Sequence, residues 1–404
     1  MKKSLIRPCV VGLGYVGLPL FLKLQNKIST VGYDISDLRV KELKFYSDIN
    51  GEFKKKDLVL KKKSLITSDK NLLKFCNFFI VAVPTPISQK NIPDLSHLKK
   101  SCEIIGKVLV KNSIVFFEST VYPGVTENFC GRLLEKKSGL KLGVDFFVGY
   151  SPERINPGDK KHSIGKVVKI VSATNNNTLK VAKKIYKKVA NKILTNKNIK
   201  EAESAKVIEN IQRDLNIGLM NEVYKVCVNS KINFSNVIKL ASTKWNFLKF
   251  DPGLVGGHCL PVDPYYFSNF AEKKGIKTEV ILSGRKINNS MYLYMYNKII
   301  KDIKNLKLNI KKSRILVLGL TYKKNVSDIR NSFALKLYRL LKKKIKYLEA
   351  CDPFLTKKNI KNVKVLHNFN LDDYELILNF VNHDAFRNKI LKIKRTNKKY
   401  LDLF

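Results

Sequence analysis

The 404-residue sequence is poor in acidic residues, poor in arginine and without paired cysteines or any long uninterrupted apolar run. Asp and Glu number 33 against 77 Lys and Arg, a formal charge of +44. Only 11 of those 77 are Arg, and the 66 Lys are scattered from Lys54–Lys56 through Lys183–Lys188 to Lys398–Lys399. Nucleic-acid readers concentrate Arg and Lys on one face with aromatics between them. Scattered Lys reads as solvated surface, so no nucleic-acid partner is expected, although the excess would attract a polyanionic small molecule. The seven cysteines, Cys9, Cys76, Cys102, Cys130, Cys227, Cys259 and Cys351, are odd in number, widely spaced and lack a C-x-x-C pair. That spacing predicts reduced thiols, a cytoplasmic protein and no structural metal. Lys2 and Lys3 ahead of the apolar run Pro8–Leu22 imitate a signal peptide, but Gly12, Gly14, Gly17 and Pro19 interrupt the helix it would need. No other apolar stretch approaches the roughly 18 residues of a membrane span.

What is present is an ordinary globular composition, 44% hydrophobic and 10% aromatic, in a chain long enough for two or three domains. Short β-rich runs at Cys9–Val11, Thr30–Tyr33, Phe78–Val83 and Ile114–Glu118 alternate with helical patterns, which reads as βαβ units on a parallel sheet. The interval Glu201–Lys231 reads as one long helix, followed by helical stretches at Pro264–Lys274 and Val280–Lys304. Near Ser313 the pattern restarts: strand at Arg314–Gly319, helix after Ser332, strand at Leu376–Val381. The expected fold is α/β, two Rossmann-like doubly wound parallel-sheet domains joined by a central helical region. Its expected boundaries are 1–195, 200–305 and 312–404.

Gly12-Leu13-Gly14-Tyr15-Val16-Gly17 is a G-x-G-x-x-G at a strand end and helix start. The first glycine permits the tight turn, the second lets a pyrophosphate approach the backbone, and the third lets helix pack on strand. Asp34 closes the second strand 17 residues after Gly17. A carboxylate there binds the ribose 2′-hydroxyl and repels a 2′-phosphate, which favours NAD over NADP. Two later loops, Val83–Pro86 and Glu118–Gly124, leave strand C-termini, the edge at which such sheets bind ligands; Pro-punctuated turns would look the same.

On the long helix, Lys206, Asn210 and Arg213 share one stripe and are expected to project together into a cleft suited to an oxygen-rich anion. Ile208, Ile211, Leu215 and Leu219 are expected to face the core on the opposite stripe. In Phe250–Tyr266, Gly253, Gly256 and Gly257 are expected to leave backbone amides free for an anion beside Cys259, with Asp263 four residues on. Cys259 in that setting is either a nucleophile or a buried structural thiol, and a metal site is disfavoured because His258 and Cys259 are adjacent with no further pair nearby.

Together these segments, with Ser151-Pro-Glu-Arg154 and Gly319-Leu-Thr-Tyr-Lys-Lys-Asn-Val-Ser-Asp-Ile-Arg330, resemble the UDP-glucose/GDP-mannose dehydrogenase family over nearly the whole chain. The resemblance implies an N-terminal NAD-binding domain, a central helical dimerisation region and a C-terminal domain for the nucleotide diphosphate. It implies four-electron oxidation of a sugar C6 hydroxymethyl to a carboxylate for surface-polysaccharide synthesis, through a thiohemiacetal and a thioester on Cys259. Lys206 and Asp263 would manage the hydroxyl proton, Lys206 and Asn210 would stabilise oxyanions, and Glu153 with Thr120 would serve hydrolysis. The cofactor would meet Gly12, Gly14, Tyr15, Val16, Gly17, Asp34, Arg39, Pro84, Thr85, Thr120 and Arg330. The substrate would meet Ser151, Glu153, Arg154, Lys206, Asn210, Arg213, Phe250, Gly253, Gly256, His258, Tyr322 and Lys323. Ile211–Ile217 and Tyr150–Arg154 are similar to the branch acting on UDP-N-acetylhexosamines, such as UDP-GlcNAc or UDP-GalNAc. UDP-glucose, UDP-ManNAc and GDP-mannose are the alternatives. Pro261 and Val262 stand where some members carry a cofactor-touching Lys, and the sequence stops at Phe404, short of a terminal Arg in some longer members.

Overall fold

A computed structural model describes residues 6–61, 63–154, 165–355, 360 and 363–404. The chain divides into two compact units, Met1–Glu209 with Tyr265–Ile276, and Asn210–Pro264 with Lys277–Phe404.

The first unit is built on an eight-stranded sheet. Its strands are β1 (Pro8–Val11), β2 (Val31–Tyr33), β3 (Leu65–Thr67), β4 (Phe78–Val81), β5 (Ile114–Phe117), β6 (Phe147–Tyr150), β7 (Lys169–Ala173) and β8 (Ile193–Asn196). The order is β3-β2-β1-β4-β5-β6-β7-β8, and every pairing is parallel except β6 with β7. β1, β4 and β5 are buried at every position, as expected of continuous apolar strands covered on both faces. Helices α1 (Gly17–Gln25), α2 (Asp37–Lys44), α3 (Ser96–Gly106), α4 (Arg132–Ser138) and α5 (Asn176–Tyr186) connect them. Two separate apolar clusters, one around Phe79, Phe117 and Cys102 and the other around Phe21, Phe116 and Tyr186, form the core of this unit. The strand order reverses at β1/β4, the switch point where a doubly wound sheet opens a crevice at its carboxyl edge.

Helix α6 spans Ile199–Asn229, followed by α7 (Phe234–Ala241), α8 (Asp263–Glu272) and α9 (Glu279–Asn305). The second unit then carries β9 (Arg314–Leu318), α10 (Phe333–Lys342), β10 (Tyr347–Cys351), β11 (Val365–Leu366), β12 (Leu376–Asn379), α11 (Arg387–Lys394) and β13 (Lys399–Asp402). Its sheet is wholly parallel in the order β11-β10-β9-β12-β13, with a switch point at β9/β12. The expected α/β class with two doubly wound sheets and a helical middle is therefore found, with the single antiparallel junction as an addition.

The face assignment of α6 is corrected. Lys206 and Asn210 are buried, together with Glu203, Asp214 and Asn221, so the inward stripe is polar. Ile211 is buried as expected, but Ile208 and Leu219 are 49% and 53% exposed. Burying a polar stripe is favourable only when its members are paired, and the pairs described below are what a rule built on apolar periodicity overlooks.

Candidate functional site

In the first unit the β1–α1 turn has the shape of a phosphate cradle. Gly12 adopts φ +90°, and its amide donates to the Tyr33 carbonyl at 2.8 Å. A Cβ on Gly17 would lie 1.8 Å from the Gly12 carbonyl oxygen, so helix and strand close only around glycine. A Cβ on Gly14, by contrast, would meet nothing within 4 Å: the turn keeps open room beside that residue, at the head of α1. Asp34 accepts the Leu13 amide through Oδ2 at 2.8 Å and the Ser36 amide through Oδ1 at 2.9 Å, which fixes its carboxylate beside the loop. These features fit a dinucleotide: pyrophosphate over Gly14, ribose on Asp34. Arg39 is held back by its own contacts, Nε donating to the Leu13 carbonyl and Nη1 paired with Glu42 and Asp48 at 2.9 Å each. Tyr15 and Val16 are half-buried on the same turn, and Pro84 is exposed after β4. Thr85 donates to the Thr120 carbonyl at 2.8 Å and Ser119 to the Val83 carbonyl at 2.6 Å, tying the loops after β4 and β5 together.

Glu203 supports the loop holding Thr120. Its carboxylate accepts the Gly124 amide and, at 2.9 Å, the Thr126 amide. Burial nevertheless pushes it up to about 7. A carboxyl raised in the fold binds more protons than the unfolded chain between its ordinary value and about 7, so its contribution to stability falls as pH rises through that window. Glu203→Gln should therefore gain stability relative to the parent, on the order of 3 kcal/mol, between about pH 5 and pH 8 in urea unfolding. A constant difference across that range would contradict this.

Beyond β6, Ser151 is fully buried and donates to the Ile170 carbonyl at 2.6 Å, which ties the end of β6 to β7. Glu153 accepts the Arg154 amide at 2.6 Å, and the Arg154 guanidinium pairs with Glu209. Sequence reasoning missed Lys169, whose ammonium sits between Glu118 and Glu153 at 2.9 and 2.8 Å. A lone Lys within the apolar run Val167-Val168-Lys169-Ile170-Val171 was the available signal.

In the second unit, Asn210 donates to Asp263 Oδ2 at 2.5 Å, both side chains being buried. The Cys259 carbonyl accepts the Val262 and Asp263 amides at 2.9 Å, forming the turn that starts α8. Cys259 itself is half-exposed, unlike the other six cysteines, which are buried. The expectation of free glycine amides is overturned. Gly253 donates to Asn221 at 2.8 Å, Gly256 to the Leu254 carbonyl and Gly257 to the Arg330 carbonyl, both at 3.1 Å. The glycines are needed for close packing. A Cβ on Gly256 would lie 2.6 Å from the Asn331 carbonyl oxygen, and one on Gly257, at φ +92°, 2.8 Å from the Tyr322 ring. The structure thus brings His258 and the Cys259 loop against the Tyr322–Asn331 segment.

Burial, helped by Arg330, lowers His258 to about 4, so it is neutral at physiological pH. Arg330 bonds Asp328 through Nε and Nη2, and the Lys323 ammonium lies 5.9 Å from the Tyr322 ring centre. Phe250 is half-buried at the start of the loop. Arg213 is exposed on α6, so it does not share the buried environment of Lys206 and Asn210. A network that sequence reasoning missed clamps both ends of the Cys259 loop. Buried Arg285 pairs with Asp214 and donates to the Leu260 carbonyl at 3.3 Å, while Asn288 joins Asp214 to Asn221, which holds Gly253. Among the described residues no group of His, Cys, Asp and Glu could hold a metal, and no helix is long and apolar enough to cross a membrane.

Comparison with known proteins matches three parts of the UDP-glucose/GDP-mannose dehydrogenase family. These are the NAD binding domain over residues 6–190, the central domain over 200–290 and the UDP binding domain over 316–403. Protein CapL of Staphylococcus aureus is 47% identical over 336 residues, 82% of this chain and 78% of that protein. A UDP-N-acetyl-D-glucosamine 6-dehydrogenase of Pseudomonas aeruginosa is 40% identical over 95% of this chain and 92% of its own length. The solved structure of a UDP-D-ManNAc dehydrogenase from Pyrococcus horikoshii superposes with a TM-score of 0.86 at 30% identity, covering 98% of this chain and 95% of that one. With a dinucleotide cradle, a clamped cysteine loop and family matches from residue 6 to residue 403, the chain belongs to the UDP-glucose/GDP-mannose dehydrogenase family, as an NAD-dependent nucleotide-sugar dehydrogenase.

Proposed function

We propose that the chain oxidises the C6 hydroxymethyl of a UDP-N-acetylhexosamine, UDP-GlcNAc or UDP-GalNAc, to the uronic acid. The observation that carries this reading is the half-exposed Cys259 on a loop held at Gly253 and Leu260, beside the buried Asn210–Asp263 pair. NAD, when bound at the Gly12–Gly17 turn, supplies the two-electron acceptor for each of two successive oxidations. Lys206 and Asp263 manage the hydroxyl proton through a water, the ammonium donating to that water and the Asp263 carboxylate receiving the proton. The Cys259 thiolate attacks the resulting aldehyde, forming a carbon–sulfur bond whose oxyanion Lys206 and Asn210 stabilise. The second oxidation leaves a thioester. Glu153, with Thr120, takes a proton from the water that attacks it, and the carbon–sulfur bond breaks to release the acid and the thiolate.

In this reading the NAD-binding domain is 1–195, the central region 200–305 and the UDP-binding domain 312–404. Tyr322 and Lys323 contact the nucleotide sugar, Arg330 the cofactor, and Arg213 the acyl group or phosphates from its exposed position. The exposed apolar residues Ile208, Leu219 and Val226 on α6 support a homodimer through that helix. The reading includes a cytoplasmic enzyme that serves surface-polysaccharide synthesis. The P. aeruginosa relative supports the N-acetylated substrate by its name and by its 40% identity over 95% of this chain.

Initial rates of NADH formation with UDP-GlcNAc, UDP-GalNAc, UDP-ManNAc, UDP-glucose and GDP-mannose test the substrate. The highest kcat/KM is expected with UDP-GlcNAc or UDP-GalNAc. A response to UDP-glucose alone would remove the N-acetyl reading, and a preference for UDP-ManNAc would point to the 2-epimer that the P. horikoshii protein's name specifies.

A further inference from the structure

Lys169 stands at the head of β7, fully enclosed, with its ammonium 2.9 Å from Glu118 Oε2, 2.8 Å from Glu153 Oε2 and 3.3 Å from the Pro152 carbonyl. The Tyr186 ring centre lies 5.6 Å from the same nitrogen. The sheet topology explains the meeting. Glu118 and Glu153 follow the parallel strands β5 and β6 at the carboxyl edge of the sheet. A parallel β7 would begin at the opposite edge. Because β7 pairs antiparallel with β6, its first residue reaches the edge where the two carboxylates emerge.

Two carboxylates and one ammonium, all ionised, would leave a net negative charge out of water, a costly arrangement that one proton relieves. The two acids are not equivalent. Glu118 is 2% exposed and its Oε1 has no hydrogen-bond partner among the described residues, whereas Glu153 is 9% exposed and also receives the Arg154 amide. Burial, reinforced by the neighbouring Glu153, drives Glu118 up to about 7. Paired acids whose surroundings divide them in this way take different roles.

We propose that Lys169 is a positioning residue, its ammonium bridging Glu118 and the Pro152 carbonyl so as to hold the Glu153 carboxylate aimed for hydrolysis of the Cys259 thioester. This rests on the hydrolytic role of Glu153 proposed above. In that step one water proton passes to Glu153, the water oxygen bonds to the acyl carbon, the carbon–sulfur bond breaks, and Glu153 gives its proton to solvent as the acid leaves. Among the described residues, the charged and titratable groups facing Glu153 include Lys169 from β7, Glu118 after β5, its neighbour Arg154, Tyr186 from α5 and Lys23 from α1.

The test uses the full chain with NAD and UDP-GlcNAc, or whichever nucleotide sugar turns over best. Under turnover, Lys169→Met should accumulate a sugar-acyl adduct on Cys259, read by intact mass. Its kcat should fall on the order of 10–100-fold, with the acidic limb of the kcat–pH profile moved up by ~1–2 units, because the cation beside Glu153 is gone. Lys169→Arg should restore the limb and prevent the adduct. Where Lys169→Met does not fold, Lys169→Gln carries the same expectation and Lys169→Arg the opposite one. A folded Lys169→Met or Lys169→Gln with parental kcat, pH limb and adduct level overturns the proposal, as does slow turnover without adduct. Glu153→Gln separates the two readings. If it accumulates no adduct, the hydrolytic role of Glu153 fails; if it accumulates adduct and the Lys169 variants do not, only the role of Lys169 fails.

Discussion

Cys259→Ser is expected to lower the rate of uronic acid formation by at least ~10³-fold while leaving the protein folded, the scale of loss seen when a covalent nucleophile is removed. The reason is chemical. A serine hydroxyl has a pKa far above that of a thiol and needs a strong base to ionise it before it can attack. The thiol has the intrinsic nucleophilicity to capture an aldehyde without such help. The loop should survive the exchange, since serine is close to cysteine in size and the clamps on Gly253, Gly257 and Leu260 remain. The first oxidation does not need sulfur, so NADH formed per sugar consumed should fall from two toward one and an aldehyde should become trappable by a hydrazide. A serine variant that still makes acid at the parental rate with two NADH would remove the thioester from the mechanism.

The glycines of the β1–α1 turn give the second large effect, with opposite signatures at two positions. Gly17→Ala places a methyl 1.8 Å from the Gly12 carbonyl oxygen, a backbone atom that cannot move without breaking the turn. The variant should lose several degrees of Tm and its NAD binding together. Gly14→Ala meets nothing within 4 Å in the protein, so Tm should be unchanged. The methyl would nevertheless occupy the room assigned to the pyrophosphate, and KM for NAD should rise ~10–100-fold, the effect of losing backbone hydrogen bonds to a charged group. Unchanged NAD affinity in Gly14→Ala would show that the pyrophosphate lies elsewhere. Thermal melts with and without NAD, read beside KM, separate the two cases.

These two sites also show what could be read without coordinates. The phosphate turn was legible because its constraints are local: Gly12, Gly14 and Gly17 act within one strand–turn–helix, and Asp34 ends the next strand. The strands at Cys9, Phe78, Ile114, Arg314 and Leu376 and the long α6 were legible from apolar runs and periodicity. The Cys259 loop was legible as residues but not as contacts. The groups that take up its amides, Asn221 and the Arg330 carbonyl, lie tens of residues away, and nothing in the spacing announces them. The inward face of α6 was misread because Lys206, Asn210 and Asp214 are buried through pairing with Asp263, Arg285 and Asn288 or within the surrounding fold, not through their own hydrophobicity. The partners of Lys169, unlike the oddity of a Lys in an apolar run, were not legible for a related reason. Only the antiparallel turn of β7 brings it to the carboxylates, and strand direction is not written in a four-residue apolar run.

The most direct measurement is the ratio of NADH formed to UDP-GlcNAc consumed at completion, with the product's mass taken from the same reaction. Two NADH per sugar and a product heavier than the substrate by one oxygen less two hydrogens are expected of a C6 alcohol carried to a carboxylic acid. One NADH per sugar with an aldehyde or ketone product would contradict the thioester route through Cys259.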